Sequence, residues 1–98
     1  MGYNYLPKVL KLAISNNMIE HLELFEYPKI KEVVASNNKL VEFPLFHSRN
    51  RPKKLHLDYN LIECFPTNCQ FLNSVHLLNL AHNQLKTIPS KIQRMVSL

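Results

Sequence analysis

Cys64, Cys69, His76 and His82 stand close together in this chain, and a cysteine pair followed by a histidine pair supplies the ligand types of a tetrahedral zinc site. Their spacing argues against that chemistry. Six residues separate Cys69 from His76, where a zinc finger has about twelve between its pairs. Cysteine and histidine are also the nucleophile and base of covalent catalysis, which requires a third, orienting group. No local nucleophile signature surrounds either cysteine. The sole glycine is Gly2, so a glycine-rich phosphate cradle or dinucleotide fingerprint is excluded. The expectation is a chain with no metal, no cofactor and no catalytic residues.

A second group with chemical potential is the basic run Arg49-Asn50-Arg51-Pro52-Lys53-Lys54. Such a run suits a nuclear import signal or contact with an acidic partner or anionic lipid. It equally suits a solvated turn, and a run this short favours the turn. Over the 98 residues, 12 Lys and Arg stand against 7 Asp and Glu, a net charge of +5. That balance favours an acidic protein partner without demanding nucleic acid, for which no reading motif is present. Apolar runs are short, as in Val33-Val34-Ala35, far below the roughly 20 residues of a membrane span. Lys8 and Lys11 interrupt the apolar residues near the start, so it does not read as a secretory signal. Two cysteines suggest no disulfide framework, and none of the asparagines lies in an Asn-x-Ser/Thr sequon. These features together predict a reducing, cytoplasmic location.

What positions all these residues is a repeat. Four segments, 9–29, 30–51, 52–74 and 75–97, align with starts 21, 22 and 23 residues apart, and Leu98 falls where a fifth would begin. Each opens with an apolar pair two apart: Leu12/Ile14, Val33/Ala35, Leu55/Leu57, Leu78/Leu80. Such a pair is a strand with one face buried. An asparagine follows three residues later every time, at Asn17, Asn38, Asn60 and Asn83. Its side chain carries a donor and an acceptor, so it can satisfy backbone groups on both sides of a buried bend. Further apolar residues (Ile19, Leu40, Ile62, Leu85, then Leu22, Phe43, Phe65, Ile88) bring the chain back over the same core. One copy has too little core to stand alone, so copies stack into a single solenoid unit over 1–98.

Strand alternation turns Lys11, Ala13, Ser15; Glu32, Val34, Ser36; Lys54, His56, Asp58; and Leu77, Asn79, Ala81 outward. Asn16, Asn37, Tyr59 and His82, which precede the ladder asparagines, should line the same rim.

The spacing resembles the leucine-rich repeat family, and in particular its intracellular subtype of about 23 residues. Copy four carries the full pattern in Val75, Leu78, Leu80, Asn83, Leu85, Ile88, Pro89, Ile92 and Met95. Copy three carries it with Cys69 and Leu72 in the last two apolar places. Copies one and two are shorter on the back, Glu23 stands where proline is usual, and Pro52 takes a position normally apolar. The resemblance implies an α/β fold: a right-handed solenoid, with short parallel strands on the concave face and turns or short 3-10 or helical segments on the convex one. It implies a partner protein bound on the concave sheet, so the chain is expected to act as an interaction scaffold or adapter. Glu32, Lys54, His56, Asp58, Tyr59, Asn79 and His82 have the interface chemistry, with Tyr59 as anchor. The alternative is the targeting or regulatory segment of a larger signalling enzyme (a phosphatase, kinase or cyclase), of which these repeats would be a fragment. An extracellular receptor fragment is the third reading.

Overall fold

The computed structural model describes residues 8–66 and 70–87 together with the backbone of 96–97. Five strands form one sheet in sequence order: β1 Lys11–Ala13, β2 Glu32–Val34, β3 Lys54–His56, β4 Leu77–Asn79 and β5 Val96–Ser97. All neighbours are parallel. Lys11 pairs with Glu32, Glu32 with Lys54, and Lys54 with Leu77, steps of 21, 22 and 23 residues. The sequence period is therefore the sheet register. β5 departs from it: Val96 pairs with Leu78, a step of 18, so a fifth strand joins the sheet before Leu98 is reached.

Each strand is three residues long because its inward residue is followed at once by a bend. The inward members Val33, Ala35, Leu55, Leu57, Leu78 and Leu80 are all buried, and they join Ile30, Leu40, Ile62 and Val75 in one continuous core. In copy one the equivalents Leu12, Ile14 and Ile19 pack against that core but are only half-buried. On the back, copy three makes the 3-10 helix Gln70–Ser74, which buries Phe71 and Leu72. Copies one and two, shorter by one or two residues, run through turns instead. There an isolated parallel bridge joins Glu23 to Leu45, with Leu24 N–H donating to Leu45 C=O at 2.9 Å and Leu45 N–H to Leu22 C=O at 2.9 Å. This is the short back side that the shorter copies were expected to need.

The bend is held by the asparagines. Asn60 Oδ1 accepts from Leu40 N–H of the preceding copy at 3.0 Å. Its Nδ2 donates to Leu57 C=O at 3.0 Å in its own copy and to Ala35 C=O at 3.0 Å in the one before. Asn38 repeats this arrangement with Ile19, Ala35 and Ile14, and Asn83 with Ile62, Leu80 and Leu57. Asn17 is exposed and binds its own turn, through Ile14 C=O at 2.8 Å and Ser15 C=O. The ladder expected from the sequence thus joins consecutive copies rather than merely closing each turn.

A further stitch was not legible beforehand. Asn50, in the middle of the basic run, is 0% exposed. Its Oδ1 accepts from His47 N–H at 2.6 Å and its Nδ2 donates to Tyr27 C=O of the copy before at 3.1 Å. Pro52 is buried too, filling the apolar position it occupies. The run is therefore no continuous basic strip: two of its residues are core, and Lys54 lies on β3. That geometry favours the structural turn over an import signal.

Asn60→Ala leaves Leu40 N–H without its buried partner and takes one of two amide donors from each of the Ala35 and Leu57 carbonyls. The expected loss is about 1–3 kcal/mol, the usual cost of stranding buried polar groups. Asn17→Ala, at an exposed turn, should cost clearly less. Thermal denaturation of the two variants checks both; an unchanged melting temperature for Asn60→Ala would remove the ladder's structural role.

Candidate functional site

The concave face is the outer surface of the sheet, and its polar side chains are mostly paired with one another across strands. Glu32 Oε2 meets His56 Nε2 at 3.0 Å, both about a quarter exposed. Ser36 Oγ donates to Asp58 Oδ1 at 2.6 Å. Ser15 Oγ accepts from Ser36 N–H at 3.1 Å, and Asn79 Oδ1 accepts from Ala81 N–H at 3.1 Å. Parallel register causes this: it sets outward residues of adjacent copies roughly 4.8 Å apart, so complementary polar groups at neighbouring positions meet. Lys54 lies directly opposite Glu32 in the ladder, yet the carboxylate takes His56 and no ion pair reaches Lys54 among the described residues.

Beyond the strands the chain turns inward toward each ladder asparagine, through one residue in the left-handed region. These are Asn16 (φ 63°), Asn37 (φ 56°), Tyr59 (φ 58°) and His82 (φ 59°). Asparagine suits that conformation because its short polar side chain relieves the clash with the backbone, and histidine is moderately tolerated; a bulky tyrosine is an outlier there. In copies one and two the row is an amide pair, Asn37 Nδ2 donating to Asn16 Oδ1 at 2.8 Å. In copies three and four it becomes an aromatic stack: the Tyr59 and His82 rings lie 4.2 Å apart and 12° from coplanar. Tyr59 is 53% exposed, so the stack stands on the rim with one broad face in water.

The seven residues selected from sequence therefore fall into three states. Glu32, His56 and Asp58 are held in pairs within the sheet, Asn79 closes its own turn, and Lys54, Tyr59 and His82 present free surface. Leu77, 37% exposed at the start of β4, adds an apolar contact beside Lys54. Strand alternation places it outward, but interface chemistry alone does not single it out.

The cysteine and histidine positions are dispersed. His76 precedes β4 and His82 follows it, so they lie at opposite edges of the sheet, while Cys64 is exposed on the return arm of copy three. Cys69 lies outside the described residues. Among the described residues no three His, Cys, Asp or Glu side chains gather as a metal site would require. The convex side carries the aromatics. All five phenylalanines line one open depression of about 520 Å³, with Phe43 and Phe65 at 4.9 Å and Phe46 stacked on Phe71 at 4.5 Å.

Comparison with known proteins matches this geometry. A family model described as Leucine Rich Repeat matches residues 74–95, essentially copy four. Residues 74–95 are thus a leucine-rich repeat by family as well as by fold. The chain is similar to Podocan-like protein 1 of Homo sapiens, 25% identical over 95 residues, covering 92% of this chain and 19% of that protein. The chain spans about a fifth of that relative's length. No solved structure matches it. No helix among its described residues is long and apolar enough to cross a membrane.

The Glu32–His56 pair is checkable by a double-mutant cycle of Glu32→Ala and His56→Ala. A partly exposed pair of this kind should show a coupling of about 0.2–1 kcal/mol. A coupling of zero would mean that the two side chains do not meet in solution.

Proposed function

We propose that this chain is an interaction scaffold that holds a partner protein against the concave face of copies two to four. The observation that carries the proposal is the Tyr59–His82 stack. Copies one and two keep asparagine at the same left-handed position, so a residue easier on the backbone is available there. A tyrosine held in that region costs about 1–2 kcal/mol, and such local strain concentrates at functional positions. What it provides is a rigid, exposed aromatic pair with polar edges, the type of anchor enriched at protein interfaces. Leu77 and Lys54, paired across β3 and β4 at the other end of the strands, add an apolar contact and a cation to the same face. Glu32, His56 and Asp58 sustain the face more than they contact the partner, since binding through them would first have to break their existing pairs.

The test replaces both rim aromatics by the residue of copies one and two, Tyr59→Asn with His82→Asn. Relief of the left-handed strain, about 1–2 kcal/mol, and loss of the stack, about 0.5–1.5 kcal/mol, nearly offset each other. Folding stability should therefore stay within about 1 kcal/mol of the parent. Affinity capture from extract should lose the proteins that the parent chain recovers. Recovery of the same proteins at the same yield by a folded variant would refute the concave-face assignment.

A further inference from the structure

The repeat register sorts charge as well as apolar residues. Three residues before the first strand residue of copies one, two and three stand Lys8, Lys29 and Arg51, all exposed. One residue before β2 and β3 stand Lys31 and Lys53, also exposed, and the backbone joins them directly: Lys53 N–H donates to Lys31 C=O at 2.7 Å. Lys11 and Lys54 open β1 and β3 on the concave face itself. Seven of the ten Lys and Arg among the described residues thus share the edge where the strands begin. Its single facing carboxylate, Glu32, is already taken by His56. None of the seven cations has an ion pair among the described residues. Past the ladder asparagines, where each copy turns away from the sheet, the chain instead carries Glu20, Glu42 and Glu63. The charge of +5 is thereby unevenly placed, with seven cations on the edge where the strands begin and three glutamates beside Lys39 and Lys86 at the opposite border.

We infer that the basic edge is a docking strip for an acidic polypeptide segment, an extension of the protein partner read onto the concave face, and it rests on that reading. The strip is continuous with the face, because Lys11 and Lys54 belong to the strands. Three adjacent copies carry it, so it is about 10 Å across, the scale of a short peptide segment rather than a bilayer plane. Six of the seven cations are lysines, compact point charges without the planar fork that grips one phosphate in two places. Such an array attracts a flexible run of carboxylates and steers its approach without demanding one geometry. Among the described residues the tyrosine nearest the strip in sequence, Tyr27, packs against the core, whereas single-strand binding depends on exposed aromatic platforms.

The experiment titrates the full chain at low salt with a labelled oligo-glutamate peptide of about ten residues, enough to span the strip in extended form. Two charge-reversed variants are compared: Lys31→Glu with Lys53→Glu on the edge, and Lys39→Glu with Lys86→Glu away from it. Each changes two charges by −2, taking the chain from +5 to +1, so bulk charge is matched. The edge variant should bind about tenfold more weakly, a difference of about 1.4 kcal/mol, with a shallower salt dependence. The control variant should lose no more than about twofold, because its lysines lie past the ladder asparagines, at the opposite border of the sheet from the strip. Equal losses in both variants, or no binding by the parent, would overturn the inference. So would tighter binding of oligothymidylate, or of vesicles of phosphatidylserine and phosphatidylcholine in equal parts. Tyr59→Asn with His82→Asn should bind oligo-glutamate like the parent. A loss there would move the peptide from the edge to the rim, whereas failure of the concave-face reading appears in the capture experiment and leaves this titration unchanged.

Discussion

A strand three residues long must be left by a sharp bend, and that bend buries amides and carbonyls that the neighbouring strands cannot reach. The ladder asparagine supplies the missing partners. One side chain accepts from the preceding copy and donates to carbonyls of both copies, so every interior bend is satisfied only when two copies are in register. A buried polar group left unpaired costs more than most single contacts gain, so the ladder fixes the register of copies more sharply than apolar packing alone would. Cooperation between copies follows directly: losing one copy strands groups in the next. The half-buried core of copy one and its exposed Asn17 show what such a bend looks like with its own turn as the ladder asparagine's partner.

The same bend shapes the surface. To bring the asparagine inward, the residue before it adopts a left-handed conformation, and its side chain is directed to the rim. Wherever asparagine occupies that site, conformation and residue type agree. Tyr59 breaks the agreement, and His82 follows it into a stack. Within the sheet the opposite holds, since polar groups on adjacent strands satisfy one another and leave little unspent hydrogen-bonding capacity. Free chemistry is thus concentrated at the two borders of the concave face: aromatic where the strands end, cationic where they begin.

Much of this was legible in the sequence. The spacing of the apolar pairs and asparagines predicted the strands, their parallel order and their register, because a fixed period leaves each residue type only one place in the stack. The inward and outward assignments agree with the burial along β1 to β4. Copies one and two were legible as short on the back, and they run through turns where copy three makes a 3-10 helix. Asn50 was not legible. Within a run of arginines and lysines an asparagine reads as one more turn residue, and only the approach of Tyr27 from the preceding copy makes it a buried stitch. The early arrival of β5 also escaped the period, since a fixed repeat length cannot announce its own interruption.

Sequence by itself determined the repeat, the core and which side chains face the concave surface, because alternation and periodicity are local rules that the chain obeys copy by copy. Tertiary structure decided which of those side chains are still available. Glu32 with His56 and Ser36 with Asp58 are 24 and 22 residues apart, and only the lateral packing of strands brings them within hydrogen-bonding distance. The same packing stacked Tyr59 on His82 and gathered scattered lysines onto one edge. Contacts between copies depend on how far each return arm advances the chain, a length fixed by the whole turn and not by any residue within it.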